Sequence, residues 1–213
     1  MPQVLPANEL TVRKMLRQAT HSNHVRLNRL PLLVELSQSS LSLIAYRKLL
    51  IAYFHIYAGL EDRINQYLKQ QPSVFRYAER SKLPWILTDL EFFHDDLTKL
   101  DHVMPQALVP SIERVGHLVG VLYTIEGSTL GGQVISRNLT ELHGFNGIAG
   151  ASFFNGYGEQ TSLMWQDFLS FAESISGDAI ECAAAVESAC QTFQLFEQII
   201  NSISHEQRIV VLT

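Results

Sequence analysis

The stretch SLSLIAYRKLLIAYFHIYAGLEDRINQYLKQ, residues 40–70, decides the fold class. Its apolar positions Leu43, Ile44, Leu50, Ile51, Phe54, Tyr57, Ala58 and Leu60 recur at helical spacing, whereas a half-buried strand would alternate. Gln71-Pro72 ends it, because proline pushes the residue before it out of the helical region. The chain on either side reads the same way. A first helix begins near Asn8, an N-cap with Glu9 behind it, and runs to about Leu30 before Pro31. A short helical turn falls near Val74 to Arg80, and a further helix covers Pro84 to Leu100, with proline in its first turn. The next helix runs from Ser111 to about Leu142, and Gly144 to Gly158, rich in glycine and asparagine, reads as a loop. Two last helices occupy roughly Glu159 to Ser176 and Asp178 to Ser204, divided by Gly177. No strand pattern of useful length and no internal repeat appears. The expectation is an all-α, single-domain helical bundle over 1–213, with a core at 8–205 and a tail at 206–213.

Composition narrows the function classes. The chain has 213 residues, 46% hydrophobic and 17% charged, which argues for an ordinary globular protein and against disorder. A chain this long buries roughly 70% of its unfolded surface and needs no cross-links. The net charge of −5 gives no reason to expect nucleic acid or an anionic membrane as partner. The longest nearly apolar run, Val115 to Ile125, contains His117 and two glycines, well short of the ~20 residues that span a bilayer. Residues 1–10 carry two prolines and no signal-peptide pattern. Cys182 and Cys190 lie on one helix, roughly 12 Å apart at the helical rise, too far for a disulfide. A reduced, cytoplasmic protein is expected.

Two helices carry the chemistry. On a helical wheel of the first, Val12, Leu16, Ala19, Asn23 and Leu27 form the buried stripe. Thr20, Arg13, His24 and Arg17 flank it within about 60° of one another, and His21 falls further round toward solvent. An imidazole at a core edge beside two cations suits a metal ligand whose bound group carries anions. A half-buried histidine beside two solvated arginines is the plainer reading of that helix alone. In the helix from Ser111, Gly116, Gly120, Gly127 and Gly131 share a sector of about 60°, with Gly132 next to it. Each glycine inside a helix costs ~1 kcal/mol relative to alanine, so the set needs a reason. Close helix packing accounts for Gly116 and Gly120. The Gly127–Gly132 cluster reads instead as bare backbone against a flat ligand, with the helix bent to make room.

LRQATHSNH (16–24) resembles the segment of heme oxygenases in which a threonine precedes the proximal histidine by four residues. YTIEGSTLGGQVI (123–135) resembles the family's distal helix in the form found beside bacterial phytochromes. FFNGYG (153–158) with Trp165 and Phe168, and FQLFE (193–197), extend the resemblance from about residue 10 to residue 200. The resemblance implies heme b clamped between the two helices as both cofactor and substrate. His24 would ligate the iron, and Arg17 and Arg13 would meet the propionates. Thr20 and Tyr123 would complete the heme-binding wall, and Gly127, Ser128, Gly131 and Gly132 would press on the distal face. It also implies O2, an external electron donor such as ferredoxin or a flavoprotein reductase, the products biliverdin, CO and Fe2+, and a bacterial phytochrome as product acceptor.

Three residues depart from the family pattern. Asn28 stands where many members orient the proximal histidine with glutamate, and Ser128 where animal enzymes carry aspartate. Gln166, after Trp165, stands where an arginine is expected for a propionate. Two alternatives stay open: a heme-binding protein of this fold that turns heme over weakly or not at all, and a heme-free member of the wider helical superfamily. Glu91-Phe92-Phe93-His94 has the Glu-x-x-His spacing of di-iron proteins, but no second such motif exists, since Glu113 and His117 are four apart. His55, His102, His143 and His205 read as structural or exposed.

Overall fold

The computed structural model describes residues 11–36, 41–94 and 106–205. Helix α1 (Val12–Leu27) starts where the Thr11 hydroxyl accepts the Lys14 amide. Asn8, the expected N-cap, lies outside the described residues, as do His102 and the tail at 206–213. Leu27 ends α1 earlier than the reading to Leu30 supposed. The cause is Pro31, which opens a separate short helix, α2 (Pro31–Glu35), from its first position. Proline fits there because that amide has no helical partner anyway. Helix α3 (Leu43–Gln70) is capped by Ser42, whose hydroxyl accepts the Ala45 amide at 3.0 Å. A 3-10 turn at Ala78–Arg80 leads into α4 (Leu83–Phe92), which ends well short of the expected Leu100 because Phe93 caps it and His94 turns into the left-handed region at φ 57°.

Helix α5 (Val115–His143) starts four residues later than Ser111 and ends on a left-handed glycine, Gly144 at φ 71°. The Gly144 amide donates to Thr140 O at 2.9 Å, the usual way to stop a helix on glycine. The expected loop over 144–158 contains a helix of its own, α6 (Ser152–Asn155). Helices α7 (Thr161–Glu173) and α8 (Ala179–His205) complete the order, and Asp178 caps α8 by accepting the Ile180 and Glu181 amides. The described residues hold no strand, only an isolated bridge between Asn146 and Gly150. No described helix is long and apolar enough to cross a membrane.

Helix α8 is the spine: α5 packs along it most extensively, and α1 and α3 also lie against it. The approach of α5 is set by two glycines. A Cβ on Gly116 would stand 2.1 Å from Glu181 O, and one on Gly120 would stand 2.2 Å from Ala185 O. No side chain fits there. Helix α1 buries Val12, Leu16, Thr20 and Asn23, one stripe at helical period, and the Asn23 amide donates to Cys190 O at 3.4 Å. Cys182 and Cys190 are both free thiols on α8, pushed up in pKa chiefly by burial.

Candidate functional site

Between α1 and the middle of α5, from Tyr123 to Ile135, lies a cavity of about 610 Å³. The structure brings together around it every residue expected from sequence: Arg13, Arg17, Thr20 and His24 from α1, and Tyr123, Gly127, Ser128, Gly131 and Gly132 from α5. Aromatic side chains close the remaining walls, Tyr53 and Tyr57 from α3, Phe153 and Phe154 from α6, Trp165 from α7, Phe193 and Phe196 from α8. Asn28 borders the cavity too, whereas Gln166 forms no part of its lining. His21 is exposed but also edges the cavity, so the wheel places it too far from the site.

His24 presents an exposed imidazole whose ring meets Phe193 edge-on at 6.2 Å. The Asn28 amide nitrogen stands 3.2 Å from Nδ1 and 3.3 Å from Nε2 of the ring. Metal ligation through one nitrogen leaves the other for Asn28, whose amide offers a donor or, turned over, an acceptor. Thr20 is buried and spends its hydroxyl on Leu16 O at 2.8 Å, so its role at the site is packing rather than hydrogen bonding outward. Arg13 and Arg17 stay exposed at the rim.

The glycine cluster of α5, read as bare backbone throughout, divides. A Cβ on Gly131 would meet nothing within 4 Å, and one on Gly127 would make ordinary contact with Trp165 at 3.7 Å. Gly132 differs: a Cβ there would stand 2.8 Å from Phe154 O. Its lack of a side chain is therefore explained by packing against α6, not by a ligand. The two glycines should respond oppositely to leucine. Gly131→Leu is expected to block hemin uptake and leave the heme-free protein as stable as before, or firmer by up to roughly 0.8 kcal/mol from helix propensity. Gly132→Leu is expected to lower the melting temperature of the heme-free protein sharply. Hemin titrations and thermal melts of both variants check this.

Ser128 sits on the cavity wall with its hydroxyl donating to Ile125 O at 2.9 Å and 3.3 Å from the Tyr57 hydroxyl. Burial drives the Tyr57 phenol well above its ordinary pKa, against the opposing hydrogen bond of Ser128. Both groups therefore keep their protons at neutral pH.

Sequence reasoning missed what lies behind this wall. Glu126, 1% exposed, accepts hydrogen bonds from Arg80 Nη1 at 2.8 Å, from Lys82 Nζ and from the Tyr157 hydroxyl at 3.0 Å. Arg80 also meets Asp167 at 2.5 Å, and Lys82 donates to Arg80 O at 2.7 Å and Tyr157 Oη at 2.8 Å. Lys82 borders the cavity, but its three donors are all engaged inside the protein. Burial pulls the Lys82 ammonium down in pKa while Glu126 holds it up. Next to this cluster Glu61 accepts from the Tyr77 and Ser81 hydroxyls and the Lys82 amide. The one signal in the sequence was a glutamate at the end of the apolar run Leu118 to Ile125, a position that demands a buried partner.

Fold and cavity together define an all-α protein with a ligand-sized cavity between a histidine-bearing helix and a glycine-rich one. The chain matches the profile of the family described as Heme oxygenase over residues 10–202. It is 26% identical over 203 residues to a heme oxygenase of Takifugu rubripes, covering 89% of this chain and 73% of that protein. A heme oxygenase of Xanthomonas campestris is 26% identical over 162 residues, covering 76% of this chain and 92% of that one. The heme oxygenase of Leptospira interrogans superposes with a TM-score of 0.74 at 17% identity, over 90% of this chain and 99% of the other. That of Neisseria meningitidis, solved with NO and CO bound, superposes with a TM-score of 0.73 at 21% identity, over 91% and 92%. The chain belongs to the heme oxygenase family, and it is an enzyme.

Proposed function

We propose that the cavity takes heme b between α1 and the glycine half of α5, with His24 as iron ligand, and that the ring is opened at a meso carbon to biliverdin, CO and Fe2+. The observation that carries this reading is the bare backbone at Gly131, with open space before it in a cavity that His24 also lines. A volume of about 610 Å³ lies within the ~300–1,000 Å³ usual for small-molecule sites. The aromatic walls suit a porphyrin, and Arg13 and Arg17 at the rim suit its propionates. Heme supplies the oxygen-binding iron and is itself consumed; the protein supplies orientation and protons. O2 and an external donor such as a ferredoxin or a flavoprotein reductase complete the reaction. Free thiols support a reducing, cytoplasmic location, and the resemblance of 123–135 supports a bacterial phytochrome as consumer of the product.

Among the described residues, no carboxylate lines the cavity. The Ser128 hydroxyl can accept and donate at once, and Tyr57 stands behind it as a second protonated hydroxyl. Ser128→Ala is expected to slow bilin formation without abolishing it, because water can occupy the vacated space. Single-turnover rates beside wild type check this; equal rates would remove Ser128 from the proton path.

A second reading, a heme binder without turnover, is favoured by the uncharged Asn28 beside His24 and by Gln166 outside the cavity. Hemin reconstitution followed by reductant and oxygen separates the two. Bilin absorption supports turnover, a stable heme spectrum supports binding alone, and no heme spectrum excludes both.

A further inference from the structure

Residues 150–158 carry Phe153 and Phe154 into the cavity wall, and their backbone is held by side chains from three helices. From α3, the Tyr46 hydroxyl donates to Gly150 O at 2.7 Å. From α4, the Asp89 carboxylate accepts the Ser152 amide at 2.8 Å and the Phe153 amide at 2.9 Å. From α5, Gln133 Nε2 donates to Asn155 O at 3.0 Å and Gly158 O at 3.4 Å. Tyr46 and Asp89 are both fully buried. Glycines at both ends of the segment, Gly150 at φ 81°, Gly156 at φ 52° and Gly158 at φ 56°, allow the turns that bring it over the site.

A carboxylate with no exposure is costly to keep in a core unless its bonds demand it. Burial raises the Asp89 pKa, and the two amides work against that rise. Nothing about the core requires an acid at this point; the orphan amides at the start of α6 do. What those amides position is consequential. Phe153 packs on Tyr57 at 5.3 Å between ring centres, and Tyr57 bonds Ser128. The next residue's carbonyl, Phe154 O, is the atom against which Gly132 is packed. The segment thus touches both the hydroxyl pair and the glycine half of α5.

We propose that Asp89, with Tyr46 and Gln133, is a positioning residue for the Phe153–Phe154 wall, and that this wall sets both the grip on heme and which meso carbon is attacked. The proposal rests on the heme reading of the cavity. Asp89→Asn replaces one acceptor oxygen by an NH2 that faces a backbone N–H, so one anchoring bond is lost while size is kept. In hemin-loaded protein this variant should release heme to a tighter scavenger about tenfold faster, the effect of one such bond. It should give a mixture of biliverdin isomers where wild type gives one predominant isomer. In heme-free protein the Ser152 and Phe153 amides should exchange with solvent faster. Ile64→Ala, a buried truncation on α3 outside the cavity lining, serves as control. It should lower stability without changing release rate or isomer ratio.

Wild-type release and isomer ratio in Asp89→Asn would overturn the proposal, as would an equal change in the control. Should Asp89→Asn fail to fold, Gln133→Leu takes its place in all three measurements: faster release, mixed isomers and faster exchange support the proposal, and wild-type values overturn it. If wild type takes up no hemin, the heme reading fails and with it the proposed effect on grip and isomer; the exchange rates then report separately whether Asp89 holds the segment.

Discussion

Glu126→Ala should cost the heme-free protein roughly 3–5 kcal/mol of folding free energy, the penalty for stripping the partner from a buried charge. Glu126 and Lys82 are each 1% exposed and Arg80 is 3% exposed, so solvent cannot replace the missing carboxylate. Asp167 would still meet Arg80 from the surface, where its own side chain is 72% exposed. Glu61 bonds the Lys82 backbone amide and supports its ammonium only through space, without a hydrogen bond to it. Lys82 would be left with Arg80 O and Tyr157 Oη, two neutral acceptors, around a charge that burial already disfavours. Glu126→Gln keeps the shape and one acceptor oxygen and should fall between the two. Urea unfolding of heme-free protein is the measurement, since bound heme would add its own stabilisation. An unfolding free energy for the alanine variant within about 1 kcal/mol of wild type would mean that Lys82 sheds its proton at little cost.

His24→Ala should abolish the spectrum of a histidine-ligated heme while leaving helicity and unfolding almost unchanged. The imidazole is exposed, touches Phe193 edge-on and bonds only Asn28, so its loss should change stability by no more than about 0.5 kcal/mol. His21→Ala is the necessary companion, because both histidines border the cavity. It should retain the ligated spectrum. Imidazole added to His24→Ala should restore ligation by filling the vacated place. The reverse pattern, with His21 essential and His24 dispensable, would overturn the assignment of the proximal residue.

Helix periodicity placed Val12, Leu16 and Asn23 on the buried stripe of α1, because that depends only on neighbours one turn away; Ala19 and Leu27, expected there too, are only half-buried, and Thr20, expected on the flank, is buried. Pro31 misled for a local reason: the same residue that bars one helix begins another, and only the next four residues decide which. The short helix α6 was illegible in a glycine-rich stretch because its first amides are satisfied by Asp89, 63 positions earlier. Gly131 and Gly132 are adjacent in sequence but about 100° apart round the helix, so the reason for each is on a different side; adjacency groups what the period itself separates. The Arg80–Glu126–Lys82 group was invisible for the same cause as α6. Its members lie 44 and 46 positions apart, and burial alone turns ordinary surface residue types into a locked internal cluster.

The division of α5 has an evolutionary side. At Gly116 and Gly120 the carbonyls of α8 stand where any side chain would begin, so drift at those positions is closed whatever ligand is present. At Gly127 and Gly131 the fold itself sets no such limit. The start of α5 is thus a fixed inheritance of the scaffold, while those two positions, though not Gly132 between α5 and α6, can be resculpted without endangering the fold that carries them.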